Sequence, residues 1–193
     1  MKRLSGLKKI RTAVFISGTG SNLENLIKFS LKKKSPICIK FIVSDNKAKG
    51  LFFARKYKIK SKIFNFINRD KVEGKILDSL KKNKINLICL AGFMKILSKD
   101  FIKLFNGKIM NIHPSLLPKY KGLNTHQRAI KNREKYSGCT VHFVNARLDS
   151  GRIILQKKVR IYKKENPESL AKKILKQEHL LYPRAIKKIF PNL

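Results

Sequence analysis

Carboxylates are scarce in this chain. Its 193 residues hold 11 Asp and Glu against 46 Lys and Arg, a formal net charge of +35. Such a charge suits a polyanion binder. Yet the lysines run along the whole length, no recognisable nucleic-acid module is present, and no basic strand is studded with aromatics. Lys, Ile, Asn and Phe are used heavily together, as AT-rich codons produce, so composition alone accounts for the charge. The expectation is no specific nucleic-acid partner, with the positive field left to attract anionic small molecules. Cysteine is equally sparse. Cys38, Cys89 and Cys139 are an odd number, far apart, in apolar strand-like segments, which speaks against a disulfide framework or a Cys-based metal site. No apolar run reaches membrane-spanning length; Leu87 to Met94 is among the longest. The basic stretch Met1 to Arg11 is followed by an apolar segment that stops at Ser17-Gly18, too short for a signal-peptide core. These absences predict a soluble cytoplasmic protein with one domain over residues 1–193, monomeric or weakly dimeric, with no membrane contact.

What is present alternates between strand and helix patterns. Ala13 to Ser17 is a short apolar strand, Gly18-Thr19-Gly20-Ser21-Asn22 a turn, and Leu23, Leu26 and Ile27 follow at helical spacing. Strand, Gly-rich turn and helix open a doubly wound sheet. Further strands are expected at Ile37 to Ser44, Lys62 to Phe66, Leu87 to Ala91 and Lys108 to Ile112. The continuous apolar run Leu87 to Ala91 suits a central parallel strand buried on both faces. Helices are expected over Leu51 to Tyr57, around Val72 to Leu80, from a Ser98 cap through Phe105, and over Thr125 to Glu134. Thr140 to Val144 and Ile153 to Ile161 read as an antiparallel pair. Asn166 caps a last helix with Pro167 at its first position, and Pro183 is expected to interrupt it. The fold class is therefore α/β: a doubly wound, Rossmann-like, mostly parallel sheet with antiparallel C-terminal strands.

Three places have the residue types for chemistry. The Gly18 to Asn22 turn brings free backbone N–H groups and a helix N-terminus to one point, an arrangement that binds phosphate. The plainer reading is an ordinary strand–helix turn, and the dinucleotide fingerprint fails because Leu23 stands where its third glycine belongs. Asn111 and His113 lie two apart at the end of an expected parallel strand, so both side chains face one space at the edge where α/β sheets bind ligands. An amide and an imidazole there can stabilise an oxyanion and move a proton; alternatively the amide caps a turn and the histidine merely packs. Asp149, in Leu148-Asp149-Ser150-Gly151, is an ordinary turn residue unless its loop folds onto His113. His126, His142 and His179 have no metal-ligand spacing, and His142, between Val141 and Phe143, reads as structural.

Taken in order, several stretches carry a resemblance. They are Ile16 to Leu23, Leu90 to Ser98, Asn111-Ile112-His113-Pro114-Ser115-Leu116-Leu117-Pro118-Lys119-Tyr120, Val141 to Val144, Leu148 to Gly151 and Gln177-Glu178-His179. Together they resemble the phosphoribosylglycinamide formyltransferases, over nearly the whole chain. The resemblance implies transfer of a formyl group from 10-formyltetrahydrofolate, a co-substrate, to the amine of glycinamide ribonucleotide, through a tetrahedral oxyanion and without a metal. It implies that Asn111 and His113 donate to that oxygen, and that Asp149 keeps His113 charged and helps a proton pass from attacking amine to leaving nitrogen. Gly20, Ser21 and Asn22 are implied to hold the ribonucleotide phosphate, and Glu178 its glycinamide end. Met94, Lys95, Ile96 and Leu97 are implied to line the folate pocket beside Asn111, with Arg69 a further folate contact. Asn124 replaces a histidine of the family pattern, Lys95 a frequent arginine, and Ser150 and Arg152 flank Asp149 in place of smaller or stiffer residues.

Methionyl-tRNA formyltransferase shares the central motifs, and its tRNA would suit the charge. It requires an additional C-terminal domain and lacks a phosphate turn of the Gly18 to Asn22 kind. A basic binding module explains the charge but leaves Asn111, His113 and Asp149 without purpose. Formyltetrahydrofolate deformylase requires a further N-terminal domain, and a nucleotide-dependent oxidoreductase the missing glycine.

Overall fold

In a computed structural model that describes residues 9–191, strands and helices alternate as β1 (Ile10–Ile16), α1 (Ser21–Ser30), β2 (Ile37–Ser44), α2 (Leu51–Lys56), β3 (Ser61–Ile63), α3 (Arg69–Lys82), β4 (Leu87–Leu90), α4 (Lys99–Leu104), β5 (Lys108–His113), α5 (Thr125–Lys131), β6 (Tyr136–Phe143), β7 (Ile153–Arg160) and α6 (Pro167–Ile189). Most of the basic N-terminal stretch, residues 1–8, lies outside the described residues. The strands form one sheet in the order β3-β2-β1-β4-β5-β6-β7. The pairs from β3 across to β5 are parallel, and β5–β6 and β6–β7 are antiparallel. The doubly wound, mostly parallel α/β class with antiparallel C-terminal strands is thus the observed one.

Alternation along the strands divides the core in two. Val14 and Ile16 of β1, with Met110 and Ile112 of β5, pack under α1 and α6. Ala13 and Phe15, with Ile88, Leu90 and Ile109, face the other way against Ile76 and Leu80 of α3 and Phe101 of α4. A fully buried side chain of this size contributes about 1.5–3 kcal/mol relative to exposure, and β4 is buried at every position. The helix starts are set locally. Ser98 accepts from Phe101 N–H at 3.0 Å, and its own N–H donates to the buried Glu73 carboxylate at 2.8 Å. Asn166 and Ser169 cap α6 reciprocally, at 2.8 and 3.2 Å.

Pro183 does not interrupt α6, which runs unbroken from Pro167 to Ile189. Proline removes the N–H that would bond the carbonyl four residues earlier. That carbonyl, on His179, instead accepts from the Asn25 side chain of α1 at 2.7 Å, so the loss is made good by a neighbouring helix. One residue earlier, the buried Tyr182 hydroxyl lies 3.1 Å from the Leu90 carbonyl and 3.0 Å from the Met110 carbonyl, tying α6 to β4 and β5. Other boundaries differ modestly from the expected ones. The sixth strand begins at Tyr136, before Thr140, because Gly138 lets it lie against Lys157 and Leu116; a β-carbon there would be 2.1 Å from the Lys157 carbonyl oxygen. The third strand ends at Ile63, and α5 stops at Lys131, two residues ahead of the left-handed Arg133. The three cysteines are unpaired.

The chain winds outward from β1 in both directions, so the sheet reverses order between β1 and β4. Ligands of open α/β sheets bind at such a switch point, beyond the C-terminal strand ends. There lie the turn after β1, the segment after β4 and the end of β5.

Candidate active site

Beyond those strand ends is a cleft of about 540 Å³, within the size range of small-molecule sites. Asn22, Met94, Lys95, Ile96, Leu97, Asn111, His113, Asp149 and Glu178 all line it. Gly20, Ser21 and Arg69 do not. Gly20 and Ser21 lie just behind Asn22, whereas Arg69 opens α3 and reaches Asp70 at 3.8 Å.

Asn111 and His113 share a face of β5 because they are two apart, while Met110 and Ile112 between and beside them enter the core under α6. Asp149 comes to them from the loop between β6 and β7. Its Oδ2 lies 3.3 Å from His113 Nδ1 and accepts from Gly122 N–H at 2.9 Å. Its Oδ1 is 3.5 Å from Asn111 Nδ2 and 3.6 Å from His142 Nε2. The other His113 nitrogen, Nε2, is 2.8 Å from the Tyr120 carbonyl. Both ring nitrogens therefore face oxygen acceptors. Two backbone features fix the Asp149 loop. Asp149 adopts a left-handed φ of 44°, which Asp tolerates better than most residues. Gly151 passes so close to β6 that a β-carbon would be 1.7 Å from the Phe143 carbonyl oxygen. Lys121 Nζ also donates to Ser150 Oγ at 2.6 Å, so Ser150 joins the loop to its neighbour.

The turn after β1 packs closely on the start of α2. Gly20 has φ 80°, and a β-carbon on it would be 2.5 Å from Gly50 Cα. The first α-helical bond of α1 runs from Glu24 N–H to the Gly20 carbonyl, and no side chain caps the helix. The preceding N–H groups, on Ser21, Asn22 and Leu23, thus have no helical acceptors. Asn22 Nδ2 donates to Glu178 Oε2 at 2.7 Å, and Asn22 Oδ1 is buried with no protein partner. Burial pushes the Glu178 carboxyl above its usual range, and the Asn22 bond offsets part of that rise. Across the cleft, Gly92 carries the chain through φ 74°, and Met94 N–H donates to Ser17 Oγ at 2.8 Å. Met94, Ile96, Leu123 and Leu148 present side chains that are 50–70% exposed, an apolar mouth to a polar floor.

Sequence reasoning missed two histidines. His142 is paired directly with Asn111 across β5 and β6 and has its Nε2 3.2 Å from Asn111 Nδ2. Its expected structural character is incomplete: it is buried, but against the site. His126 also lines the cleft, with Nδ1 buried and unpartnered. Burial lowers both imidazoles below the ordinary histidine range. Alternation on β6 was the available signal for His142; the register that sets it opposite Asn111 was not. Asn124 takes a left-handed φ of 56° as the residue before α5, a conformation asparagine accepts readily. Among the described residues no group of three or more His, Cys, Asp or Glu is placed to hold a metal ion, and no helix is long and apolar enough to cross a membrane.

Residues 10–186 match the formyl transferase family. A phosphoribosylglycinamide formyltransferase of Haemophilus influenzae is 44% identical over 185 residues, covering 94% of this chain and 86% of that protein. A crystal structure of the enzyme of that name from Brucella melitensis superposes with a TM-score of 0.89 at 42% identity, covering 96% and 97% of the two chains. Longer proteins match in part. The human trifunctional purine biosynthetic protein adenosine-3 is 40% identical over 183 residues, of which this chain spans 18% of the length, and its Chironomus tentans counterpart is spanned over 14%. On the similarity over most of both chains, the shared sheet and the cleft at its switch point, this chain belongs to the phosphoribosylglycinamide formyltransferases of the formyl transferase family.

Proposed function

We propose that the chain, as one domain over residues 1–193, carries a formyl group from 10-formyltetrahydrofolate to the amine of glycinamide ribonucleotide in purine biosynthesis, acting as a monomer or weak homodimer and without a metal. The observation that carries this reading is the Asp149 carboxylate beside both the His113 imidazole and the Asn111 amide, on the floor of one cleft.

The free N–H groups opening α1, at Ser21 and Asn22 after Gly20, hold the phosphate. Glu178 and the unpartnered Asn22 Oδ1 are acceptors, so they take N–H or O–H donors of the ribonucleotide. The exposed Met94 and Ile96, with the buried Leu97 on the same wall, suit a flat pterin, whose polar edge the backbone of residues 94–97 reads; Lys95 stands at the same rim. Arg69, off the cleft wall, meets only a part of the folate that extends past it.

The attacking nitrogen forms a bond to the formyl carbon while the carbonyl electron pair moves to oxygen. Asn111 and His113 donate to that oxygen, and His113 does so by exchanging one of its present acceptors, the Tyr120 carbonyl or Asp149. Negative charge there is stabilised by donors that the fold holds on the cleft floor. The bond from carbon to the folate nitrogen then breaks. The proton lost by the amine reaches that nitrogen with Asp149 as the relay, through water.

The test is to mix the protein with both substrates and follow tetrahydrofolate release, then to replace the ribonucleotide with initiator methionyl-tRNA. Release that depends on glycinamide ribonucleotide is expected. Release only with the tRNA, or none from folded protein, overturns the reading.

A further inference from the structure

We infer that His142 is a positioning residue for formyl transfer, which sets the orientation of the Asn111 amide so that its N–H groups, and not its oxygen, serve the reacting carbonyl. The inference rests on the proposed role of Asn111 as an oxyanion donor.

The tautomer of His142 follows from its contacts. Nδ1 lies 2.8 Å from the Phe143 carbonyl, an acceptor only, so Nδ1 carries the hydrogen and Nε2 presents a lone pair. Burial at 2% exposure disfavours a second proton on the ring. Among the charged and titratable groups facing it, Asp149 favours that proton and His113 opposes it.

Asn111 is held opposite by the antiparallel register, and Nε2 is 3.2 Å from its Nδ2. The second neighbour of Nδ2 is Asp149 Oδ1, also an acceptor, at 3.5 Å. An amide flipped by half a turn would set its oxygen against a lone pair and a carboxylate together. The two acceptors thus leave one orientation. They are unequal, however. The His142 contact is a normal hydrogen bond, and the Asp149 contact is at the outer limit of one. The first N–H anchors the amide plane; the second is held loosely enough to turn to a developing oxyanion. Without His142 the amide has only the long contact to orient it.

His142→Ala is expected to lower kcat about 10- to 100-fold, a share of the full effect of losing an oxyanion donor, while KM for both substrates changes less than about threefold. His142→Gln, whose side-chain oxygen reaches the Nε2 position, should recover kcat to within about fivefold, whereas the similarly sized His142→Met should not. These two isosteric variants carry the test if the alanine variant does not fold. Because His142 acts through Asn111, Asn111→Ala/His142→Ala should be no slower than Asn111→Ala. Wild-type kcat in His142→Met, or losses that multiply in the double variant, overturn the inference. If Asn111→Ala itself turns over at the wild-type rate, the oxyanion role of Asn111 fails instead.

Discussion

The His113 imidazole and the Asp149 carboxylate face one another at 3.3 Å, with side chains 7% and 9% exposed, although one ends a parallel strand and the other lies in a loop between antiparallel strands. Little water reaches the pair, which is held in place by Gly122 N–H on Asp149 and by the Tyr120 carbonyl on His113. His113→Ala is therefore predicted to lower kcat by about a hundredfold or more, the usual scale for removing a donor and proton-transfer group together. Steady-state kinetics of the folded variant measure it, and unchanged turnover removes His113 from the mechanism.

The Asn22–Glu178 hydrogen bond gives a different signature. Asn22→Ala is predicted to raise KM for glycinamide ribonucleotide about tenfold with little change in kcat, since the phosphate it is proposed to hold is remote from the breaking bond. An effect confined to folate affinity contradicts this. Glu178 also predicts a pH dependence. Its folded pKa is raised above the ordinary 4.5, so between those values the folded chain binds more protons than the unfolded chain, and stability falls as pH rises. Glu178→Gln should thus melt above wild type at neutral pH, the gap closing toward pH 4.5. A constant gap denies the cost of ionising Glu178.

Half-buried His126 and buried His142 work in the opposite direction. Both are held below the ordinary value of 6.5, chiefly by burial. Below 6.5 the unfolded chain takes up protons that the folded chain refuses, so this contribution is full above that pH and is lost as pH falls through it. Lowering the pH from about 7.5 to about 5.5 should therefore cost wild type more melting temperature than it costs His126→Gln. Parallel curves for the two proteins contradict the assignment.

Gly151 supports the site at one remove. A methyl group at 1.7 Å from the Phe143 carbonyl oxygen cannot be accommodated, so Gly151→Ala must shift the loop that carries Asp149. A displacement of about 1 Å at a catalytic group costs up to a hundredfold in rate. The prediction is a kcat loss of at least about tenfold in a protein that still folds. Normal kcat in that variant means the loop is not fixed by this contact.

Much of the architecture was legible from local pattern. The apolar run at Leu87, the caps at Ser98 and Asn166, and the spacing of Leu23, Leu26 and Ile27 each act within a few residues, and each element appears where expected. Asn111 and His113 share a face for the same local reason. What could not be read depends on distant partners. Pro183 is tolerated only because Asn25, on another helix, takes the freed carbonyl. Asp149 reaches the site through Gly122 and Gly151, and His142 meets Asn111 through strand register. Arg69 was implied by resemblance alone and stands off the cleft wall.

Convergence of amide, imidazole and carboxylate is tested most directly by one variant, Asp149→Asn, which keeps the loop's shape and removes the negative charge. With both substrates saturating, kcat should fall by about a hundredfold or more while the melting temperature stays near that of wild type. A folded Asp149→Asn protein that transfers formyl groups at the wild-type rate would contradict the assignment of this cleft as the site of the reaction.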